Sequence, residues 1–548
     1  MVFCFWKGSE GMRQKEFSQI MIVLLVSMLV FSGCASQPSR KETAKEADSK
    51  PKDELVMAVG SEPDGGFDPI TGWGRYGNPL FQSTLVDTDP DMKIVKDLAT
   101  DYQVSKDGFT WTFTLRGDAY FTDGEKVTAE DVVFTFERAK ESGSIVDLTN
   151  MKSVSMIDET TVKFTLEKPD SSFIYTIAAT GIVPKHAYGP DYGENPIGSG
   201  PFKLVQWDKG QQILMEANEK YYGKMPEMKK VTILFMEEDA ALAAAQAGQL
   251  DVAMTSASLA QQKIDGMHLQ VVKTIDNRGL TLPYLPDEGK VTEDGYKIGN
   301  YVTSDIAIRR ALSYGVDRKA LVKDVLNGYG RPAYSEADGM PWANDAATVE
   351  YDVEKAKNIL EEAGWVDQNH DGIREKNGQK AQFNLLYDAS DSTRQVLANA
   401  VSLQAEELGI KITIEGTSWD VIDQRMYSEG VVMGWGAQSP IETYLLYHSD
   451  NMGKDYYNPE YFSNGKVDEH IDEAMSALDL EESMEHWKKV QWDGETGVAT
   501  KGESPWVWLV NVDHLYYVRD GLDIGAQKIH PHGHAWPLLA NLKDWSWE

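Results

Sequence analysis

Strand patterns and helix patterns alternate along the chain from residue 55 onward, and this alternation limits the fold more than any other feature. Residues 56–59 (VMAV) form a short apolar run of the kind found in buried strands. Residues 109–115 (FTWTFTL) and 162–166 (VKFTL) alternate between apolar and polar residues with period two. Thr128 precedes an apolar pattern with helical spacing, and Asp131 fits a capping box. This mixture predicts an α/β or α+β fold.

Further helices are predicted at 240–247, 306–327, 353–363, 392–408 and 467–478. In the helix that begins at residue 306, apolar residues share one face, and we expect Arg309, Arg310 and Arg318 to face solvent or partners. The chain has 548 residues, which is more than one hydrophobic core usually supports. We therefore expect two or more domains.

Charge and cysteine content exclude several function classes. The chain has 53 Lys and Arg against 86 Asp and Glu, a formal net charge of −33, so its surface would repel a phosphate backbone and we expect no nucleic-acid partner. Its two cysteines, Cys4 and Cys34, both lie near the N-terminus. The remaining chain can therefore hold neither a disulfide scaffold nor a cysteine-ligated metal or cysteine nucleophile.

The first 54 residues have the pattern of an export signal followed by a tether. Basic residues precede an apolar run of 12 residues at 20–31, which as a helix would be about 18 Å long and too short to span a bilayer. The run ends at SGCAS, which resembles a bacterial lipobox with Cys34 as the lipidated residue. We predict a lipoprotein signal peptide at 1–34 and a disordered polar tether at 35–54. The alternative is an ordinary cleaved signal.

Three longer segments carry a family resemblance: 121–133 (FTDGEKVTAEDVV), 198–204 (GSGPFKL) leading into 216–223 (EANEKYYG), and 308–318 (IRRALSYGVDR) running on to 328–333 (GYGRPA). They resemble the peptide/nickel class of extracellular solute-binding proteins that serve ABC importers (family 5). The resemblance covers essentially the whole mature chain. The motifs themselves are interpreted as structural packing and are not assigned to a ligand.

The resemblance implies a two-lobed α/β fold of the type II periplasmic-binding-protein class, with an extra N-terminal subdomain. Lobe one would comprise residues 55–85, 195–290 and 505–548, and the extra subdomain 86–194. Lobe two would comprise residues 291–504. The implied partners are an ABC permease with its ATPase, a small-molecule solute and, through the lipid, the membrane. We expect a monomer, outside the cytoplasm at the cell surface or in the periplasm.

Two segments are expected to line the solute cleft. In relatives the chain near residues 68–76 (DPITGWGRY) lines the cleft, and here Arg75 and Tyr76 are candidates, because a guanidinium can bind a carboxylate with two hydrogen bonds. Residues 434–444 (GWGAQSPIETY) resemble the lobe-two loop that reaches the ligand. Peptide-binding relatives tend to carry an Asp where this chain has Ser439. This removes the expected anchor for a peptide ammonium group, for which Glu442 could substitute.

The same loop supplies Trp435 and Gln438 as candidate ligand-binding residues. Trp435 could stack on a ligand or belong to the core. Histidine gives a further hypothesis, because residues 529–536 (IHPHGHAW) contain His530, His532 and His534. Neutral imidazole is a common ligand of nickel, copper and zinc. Alternate residues of an extended segment point in opposite directions, so we do not expect all three to bind one ion.

His448 is the fourth candidate metal ligand. The alternative for the histidine segment is a polar, hydrogen-bonded loop at the end of lobe one. No resident cofactor is predicted, and a Ni(II) chelate is a possible transported solute. We predict a binding protein that captures a nickel-type chelate or a short peptide by hinge closure and releases it unchanged. The alternative, an exported histidine-dependent metallohydrolase, lacks a carboxylate base and an open metal position at usable spacing.

Overall fold

The computed structural model describes residues 53–548, apart from residues 64, 72, 74–77, 144–145, 455 and 534–535. The predicted signal peptide, Cys34 and almost all of the predicted tether lie outside the described residues. Residues 51–548 form one compact unit that contains two large sheets and a smaller one. None of the helices in the described ranges is long and apolar enough to cross a membrane.

The first large sheet has seven strands and contains the first described strand of the chain. β1 (Glu54–Val59) lies inside this sheet, in parallel with β10 (Lys230–Phe235) and β11 (Val252–Thr255), while the other pairings are antiparallel. In order across the sheet the strands are β12 (Met267–Val272), β21 (His514–Arg519), β11 (Val252–Thr255), β1 (Glu54–Val59), β10 (Lys230–Phe235), β9 (Gln212–Ala217) and β8 (Phe202–Asp208).

The second large sheet has six strands. All residues of its strand β13 (Asn277–Thr281) are buried, as expected for an interior strand covered on both faces. In order across the sheet the strands are β14 (Gly330–Pro332), β20 (Trp506–Val512), β13 (Asn277–Thr281), β19 (Gly430–Met433), β17 (Gln382–Asp388) and β18 (Lys411–Thr417).

A four-stranded antiparallel sheet lies within the predicted extra subdomain. Its strands are, in order, β4 (Ala99–Val104), β5 (Thr110–Leu115), β7 (Thr161–Leu166) and β6 (Met151–Asp158). The period-two pattern of β5 buries Trp111, Phe113 and Leu115 on one face. Three small two-stranded pairs complete the strands: β2 (Val86–Thr88) with β3 (Ile94–Lys96), β15 (Glu375–Lys376) with β16 (Gln379–Lys380), and β22 (Leu522–Asp523) with β23 (Ser546–Trp547).

Eleven α-helices are found within the described residues. In chain order they are α1 (Ala129–Ser142), α2 (Phe173–Ala179), α3 (Glu238–Gln246), α4 (Ile306–Gly315), α5 (Arg318–Asp324), α6 (Val353–Glu362), α7 (Ser392–Glu406), α8 (Trp419–Arg425), α9 (Ile441–Tyr447), α10 (Gly465–Ser476) and α11 (Leu480–Gln491). At the start of α1, the Asp131 carboxylate accepts from the Thr128 backbone N–H at 2.9 Å, as predicted.

The two large sheets agree with a two-lobed α/β fold, but they shift two of the predicted lobe limits. With each large sheet as the centre of one lobe, β13 and β20 lie in lobe two. The predicted limits placed 277–290 and 505–512 in lobe one. The chain crosses from one sheet to the other at 273–276 and again at residue 513. The reason is that only one residue separates β20 from β21, so the sequence contains no linker that marks the change of sheet. The other predicted limits stay predictions.

Candidate functional site

We call residues 273–276 and 513, where the chain crosses between the two large sheets, the junction. The two crossing segments lie side by side, because Thr274 Oγ1 donates to the backbone oxygen of Val512 at 2.6 Å. The histidine segment predicted near the C-terminus lies along the first crossing. The Ile275 backbone N–H donates to the oxygen of His530 at 2.8 Å, and the His530 N–H donates to the oxygen of Lys273 at 2.9 Å.

The loop at 434–440, predicted to reach the ligand, meets the same region. The Trp435 backbone N–H donates to Asn277 Oδ1 at 2.9 Å, and the His532 N–H donates to the oxygen of Gly436 at 2.7 Å. Gly436 has φ of 149°, and a Cβ at this position would lie 2.3 Å from the oxygen of Ile275. Only glycine allows so close an approach. The structure therefore brings together the two segments that the sequence suggested separately.

A charged network connects both sides of the junction. The buried Asp276 carboxylate accepts from Arg278 Nη1 at 2.5 Å through Oδ1, and His532 Nδ1 lies 2.5 Å from the same oxygen. His514 Nε2, at the start of β21, is 3.6 Å from Asp276 Oδ2. Burial acts to raise the pKa of the Asp276 carboxyl, but the charges of Arg278 and His532 hold that pKa well below its usual range. Asp276 is therefore ionised.

Of the predicted histidines, His532 has the more exposed ring at the junction, and His530 is buried. The His532 side chain is 40% exposed. His530 is 1% exposed, its Nδ1 is 3.2 Å from His514 Nδ1, and its ring contacts Tyr516. Burial lowers the pKa of His530 well below its usual range, and the nearby His514 lowers it further. The prediction that His530 could ligate a metal in an open cleft does not agree with this burial.

The remaining predicted metal ligands are not gathered at the junction. His448 follows α9, where its Nδ1 accepts from the backbone N–H of Asp450 at 3.1 Å and its ring contacts Tyr444. It therefore caps a turn. His534 lies outside the described residues. Within the described part of the chain, His448, His530 and His532 do not belong to any group of three metal-ligating side chains.

Trp435 and Gln438 make contacts within the protein that hold the loop. The Trp435 ring stacks on Tyr457 with ring centres 5.0 Å apart, which agrees with the core alternative. Its Nε1 is buried and has no hydrogen-bond partner among the described residues. Gln438 Nε2 donates to the backbone oxygen of Ile529 at 2.6 Å and so ties the loop to the histidine segment.

Glu442 is buried and holds the backbone of the loop at 434–440. It is 5% exposed, and its two carboxyl oxygens accept from the backbone N–H groups of Gly436 at 3.0 Å and Ala437 at 3.1 Å. Burial raises its pKa to about 8. This burial, with both oxygens engaged, does not favour the prediction that Glu442 replaces the missing peptide anchor, and that prediction stays untested.

Arg75 and Tyr76 lie outside the described residues, so their predicted contact with a solute stays a prediction. Sequence reasoning missed Asp276, Arg278 and His514. β12 ends at Val272, and an Asp and an Arg two residues apart, at the start of the next apolar strand, were the available signal. His514 gave no signal, because its role depends on the crossing between the sheets.

Comparison with known proteins adds independent information. The family model for bacterial extracellular solute-binding proteins, family 5 (middle region), matches residues 93–457, more than half of the chain. Protein XP55 of Streptomyces lividans is 33% identical over 486 residues, covering 86% of this chain and 85% of that protein.

Two solved structures are similar over most of the chain. NikZ from Campylobacter jejuni in complex with Ni(L-His) has a TM-score of 0.74 and 26% identity, and the match covers 91% of this chain and 100% of that one. AppA from Bacillus subtilis in complex with a nonapeptide has a TM-score of 0.67 and 25% identity, with 90% and 99% coverage. These matches agree with a type II binding-protein fold of two lobes.

Proposed function

Because the chain belongs to the bacterial extracellular solute-binding proteins of family 5, we propose that it captures a nickel-type metal chelate between its lobes and delivers it to an ABC permease. Members of this family are substrate-binding proteins of ABC importers and act outside the cytoplasm; they are not enzymes. The alternative of an exported metallohydrolase is therefore set aside. A short peptide is the second candidate solute, supported by the likeness to AppA.

The observation that carries the chelate proposal is the pairing of His532 with Asp276. A carboxylate bonded to one ring nitrogen orients a metal-binding histidine and makes its other nitrogen a better ligand. Here Asp276 is ionised, is fixed by Arg278, and engages His532 through Nδ1. The His532 ring is partly exposed, so within the histidine segment it is the imidazole that a chelate from solvent could reach. The likeness to NikZ in complex with Ni(L-His) supports the same solute class.

The peptide alternative is weakened by two residues of the loop at 434–440. Ser439 stands where peptide-binding relatives tend to carry an Asp, and the nearby Glu442 carboxyl is buried under the loop. Neither residue offers a charged partner to a peptide ammonium group.

The proposed mechanism is closure of the lobes about the junction. A solute that contacts both lobes stabilises the closed arrangement by its differential affinity for that arrangement. The junction suits this motion, because two short segments joined by hydrogen bonds carry the chain between the sheets. The solute leaves unchanged, since delivery requires only reopening.

The solute class can be tested by calorimetry and thermal shift with preformed Ni(II)–histidine chelate and, separately, with peptides of three to five residues. We expect the chelate to bind and to raise the melting temperature, and His532→Gln to weaken chelate binding at least about 10-fold. His268→Gln is a matched control, because it removes an exposed imidazole that is paired with a carboxylate, Asp520, away from the junction. Micromolar binding of peptides without chelate binding would contradict the proposal and favour the second candidate.

We also propose that lipid on Cys34 anchors the protein to the outer face of the cell membrane. A single processed cysteine followed by a polar segment would leave the two lobes free in solvent. Cys34→Ala should move the protein from the membrane fraction to the soluble exported fraction, measured by fractionation and immunoblotting. Unchanged membrane association of the variant would contradict lipidation.

A further inference from the structure

Two neighbouring helices carry a compact group of metal-ligating side chains that is separate from the junction. His470 and Glu473 lie on α10, and His486 lies on α11, which packs against it. One ligand atom from each of the three residues lies within 4.8 Å of the other two. Nothing in the proposed solute binding uses these side chains.

The distances within the group fit a shared ion. Glu473 Oε2 is 3.2 Å from His470 Nδ1 and 3.0 Å from His486 Nδ1. Zinc lies about 2.0–2.2 Å from nitrogen and oxygen ligands, so atoms bound to one zinc ion at ordinary angles are roughly 3.0–3.5 Å apart. Each ring nitrogen therefore lies at the distance from the carboxylate oxygen that is expected of two ligands on one centre.

A second carboxylate orients His470. Its Nε2 lies 3.1 Å from Asp493 Oδ2, and Asp493 Oδ1 accepts from the backbone N–H groups of Glu495 and Thr496, both at 2.8 Å. An ionised carboxylate only accepts hydrogen bonds, so Nε2 carries a proton and donates it. Nδ1 is then the nitrogen presented to Glu473. This carboxylate–histidine arrangement is the one that holds metal-binding histidines in place.

His486 supplies an independent indication. Its Nδ1 is inaccessible to solvent and makes no hydrogen bond among the described residues, although Glu473 Oε2 is only 3.0 Å away. Buried polar atoms usually have a partner, and leaving one without a partner costs free energy. A cation between Nδ1 and the carboxylate would satisfy both atoms.

We propose that His470 Nδ1, Glu473 Oε2 and His486 Nδ1 bind a divalent transition-metal ion of zinc type, with water at the fourth position. Two imidazoles and one carboxylate form a donor set that zinc accepts, and three protein ligands leave a position open. The Glu473 side chain is 42% exposed, so an ion can enter from solvent. Binding would link α10 to α11 and stabilise that helix pair.

The test is a Zn²⁺ titration by calorimetry of the full mature chain, without affinity-tag histidines and freed of metal with EDTA. We expect one equivalent to bind to the wild type and the melting temperature to rise. His486→Gln should weaken binding more than about 100-fold, and Asp493→Asn about 10- to 100-fold. Glu469→Gln is the matched control, because Glu469 lies on the same helix but pairs with the exposed Lys466.

Folding is checked by circular dichroism, and His486, whose side chain is 19% exposed, is the variant least expected to disturb it. Equal Zn²⁺ binding by the wild type and His486→Gln would overturn the proposal. So would the absence of Zn²⁺ binding by the wild type.

The site can be separated from the junction by two further measurements. His532→Gln should keep its Zn²⁺ affinity; loss of Zn²⁺ binding in that variant would place the ion at the junction and overturn the proposal. His486→Gln should keep its affinity for the Ni(II)–histidine chelate if the proposed function holds. The zinc-site proposal and the proposed solute binding can therefore be refuted independently of each other.

Discussion

Glu460 is a carboxyl group held in the protein interior with one side-chain partner. Its Oε1 accepts from Trp506 Nε1 at 2.9 Å, while its buried Oε2 has no hydrogen bond among the described residues. Burial raises the pKa of Glu460 to about 8. The carboxyl is therefore mostly protonated at neutral pH, and its charged form is the unfavourable one.

This raised pKa predicts a pH-dependent stability. The native state keeps a proton that the unfolded state loses above pH of about 4.5, so the free energy of unfolding falls as pH rises from there through about 8. Glu460→Gln keeps the acceptor for Trp506 and cannot ionise. Urea unfolding at several pH values in this window should show that the variant loses less stability than the wild type, by up to a few kcal/mol. Glu481→Gln, at an exposed position, is the control; parallel pH curves for Glu460→Gln and wild type would contradict the prediction.

Two arginines, one on α4 and one on α5, lie in surroundings that the sequence did not predict. The helical pattern predicts Arg309 and Arg318 at the surface, but both are buried. Arg309 Nη1 donates to the backbone oxygens of Thr303 and Ser304, both at 2.8 Å, and its Nε donates to the oxygen of Ser504 at 3.1 Å. A pattern in the sequence identifies the helix face but not the distant loop that covers it, here the segment near residue 504.

At the scale of elements, the predicted helix at 306–327 is two helices that meet at Asp317. α4 ends at Gly315, and the Asp317 side chain accepts from the backbone N–H of Ala320 at 3.0 Å to begin α5. The apolar spacing continues through the break, so periodicity alone predicts one helix. The Asp at position 317 was the local signal for a new start.

Loss of the Asp317 cap should destabilise the start of α5. Asp317→Ala should lower the free energy of unfolding by about 1 kcal/mol, because the first turn of α5 loses its side-chain acceptor. Asp324→Ala, at the exposed C-terminal end of the same helix, should change stability little or raise it slightly. Chemical unfolding of the two variants measures both effects, and equal losses would show that the cap is not the cause.

Element types were more predictable from the sequence than element limits or neighbours. The strands near 56–59, 109–115 and 162–166 and the helices beginning near 353 and 392 are present, because each follows a local apolar period. The histidine segment and the loop at 434–440 were found as separate candidates. Their meeting beside the junction depends on sheet order, which no local pattern contains.

At the scale of the whole molecule, Asp276 joins groups from both large sheets. Arg278 lies on β13, His514 lies on β21, and His532 belongs to the C-terminal segment. One ionised carboxylate therefore contacts residues from the two lobes at the point where the chain crosses. Family resemblance implied two lobes, but the charged contact between them became visible only in the structure.

Removing the negative charge of Asp276 should lower the free energy of unfolding of the whole protein. Asp276→Asn leaves the buried Arg278 without its carboxylate, and we expect a loss of about 3–5 kcal/mol in the free energy of unfolding. Asp513→Asn, in the other crossing segment, should cost less, because Arg331 is 3.9 Å from that carboxylate. Denaturant unfolding of both variants measures which substitution lowers the free energy of unfolding more. A loss for Asp276→Asn that is equal to or smaller than that for Asp513→Asn would contradict the prediction.

The position of β20 and β21 bears on how the chain becomes folded. These adjacent strands occupy residues 506–519, and each is an interior strand of a different large sheet. Neither sheet can complete its hydrogen bonds between strands before residues 506–519 have been synthesised. Most of the other strands of both sheets are synthesised far earlier. Both large sheets can therefore form completely only when nearly the whole polypeptide has been synthesised. This favours one late folding transition of both lobes over folding of one lobe at a time during synthesis.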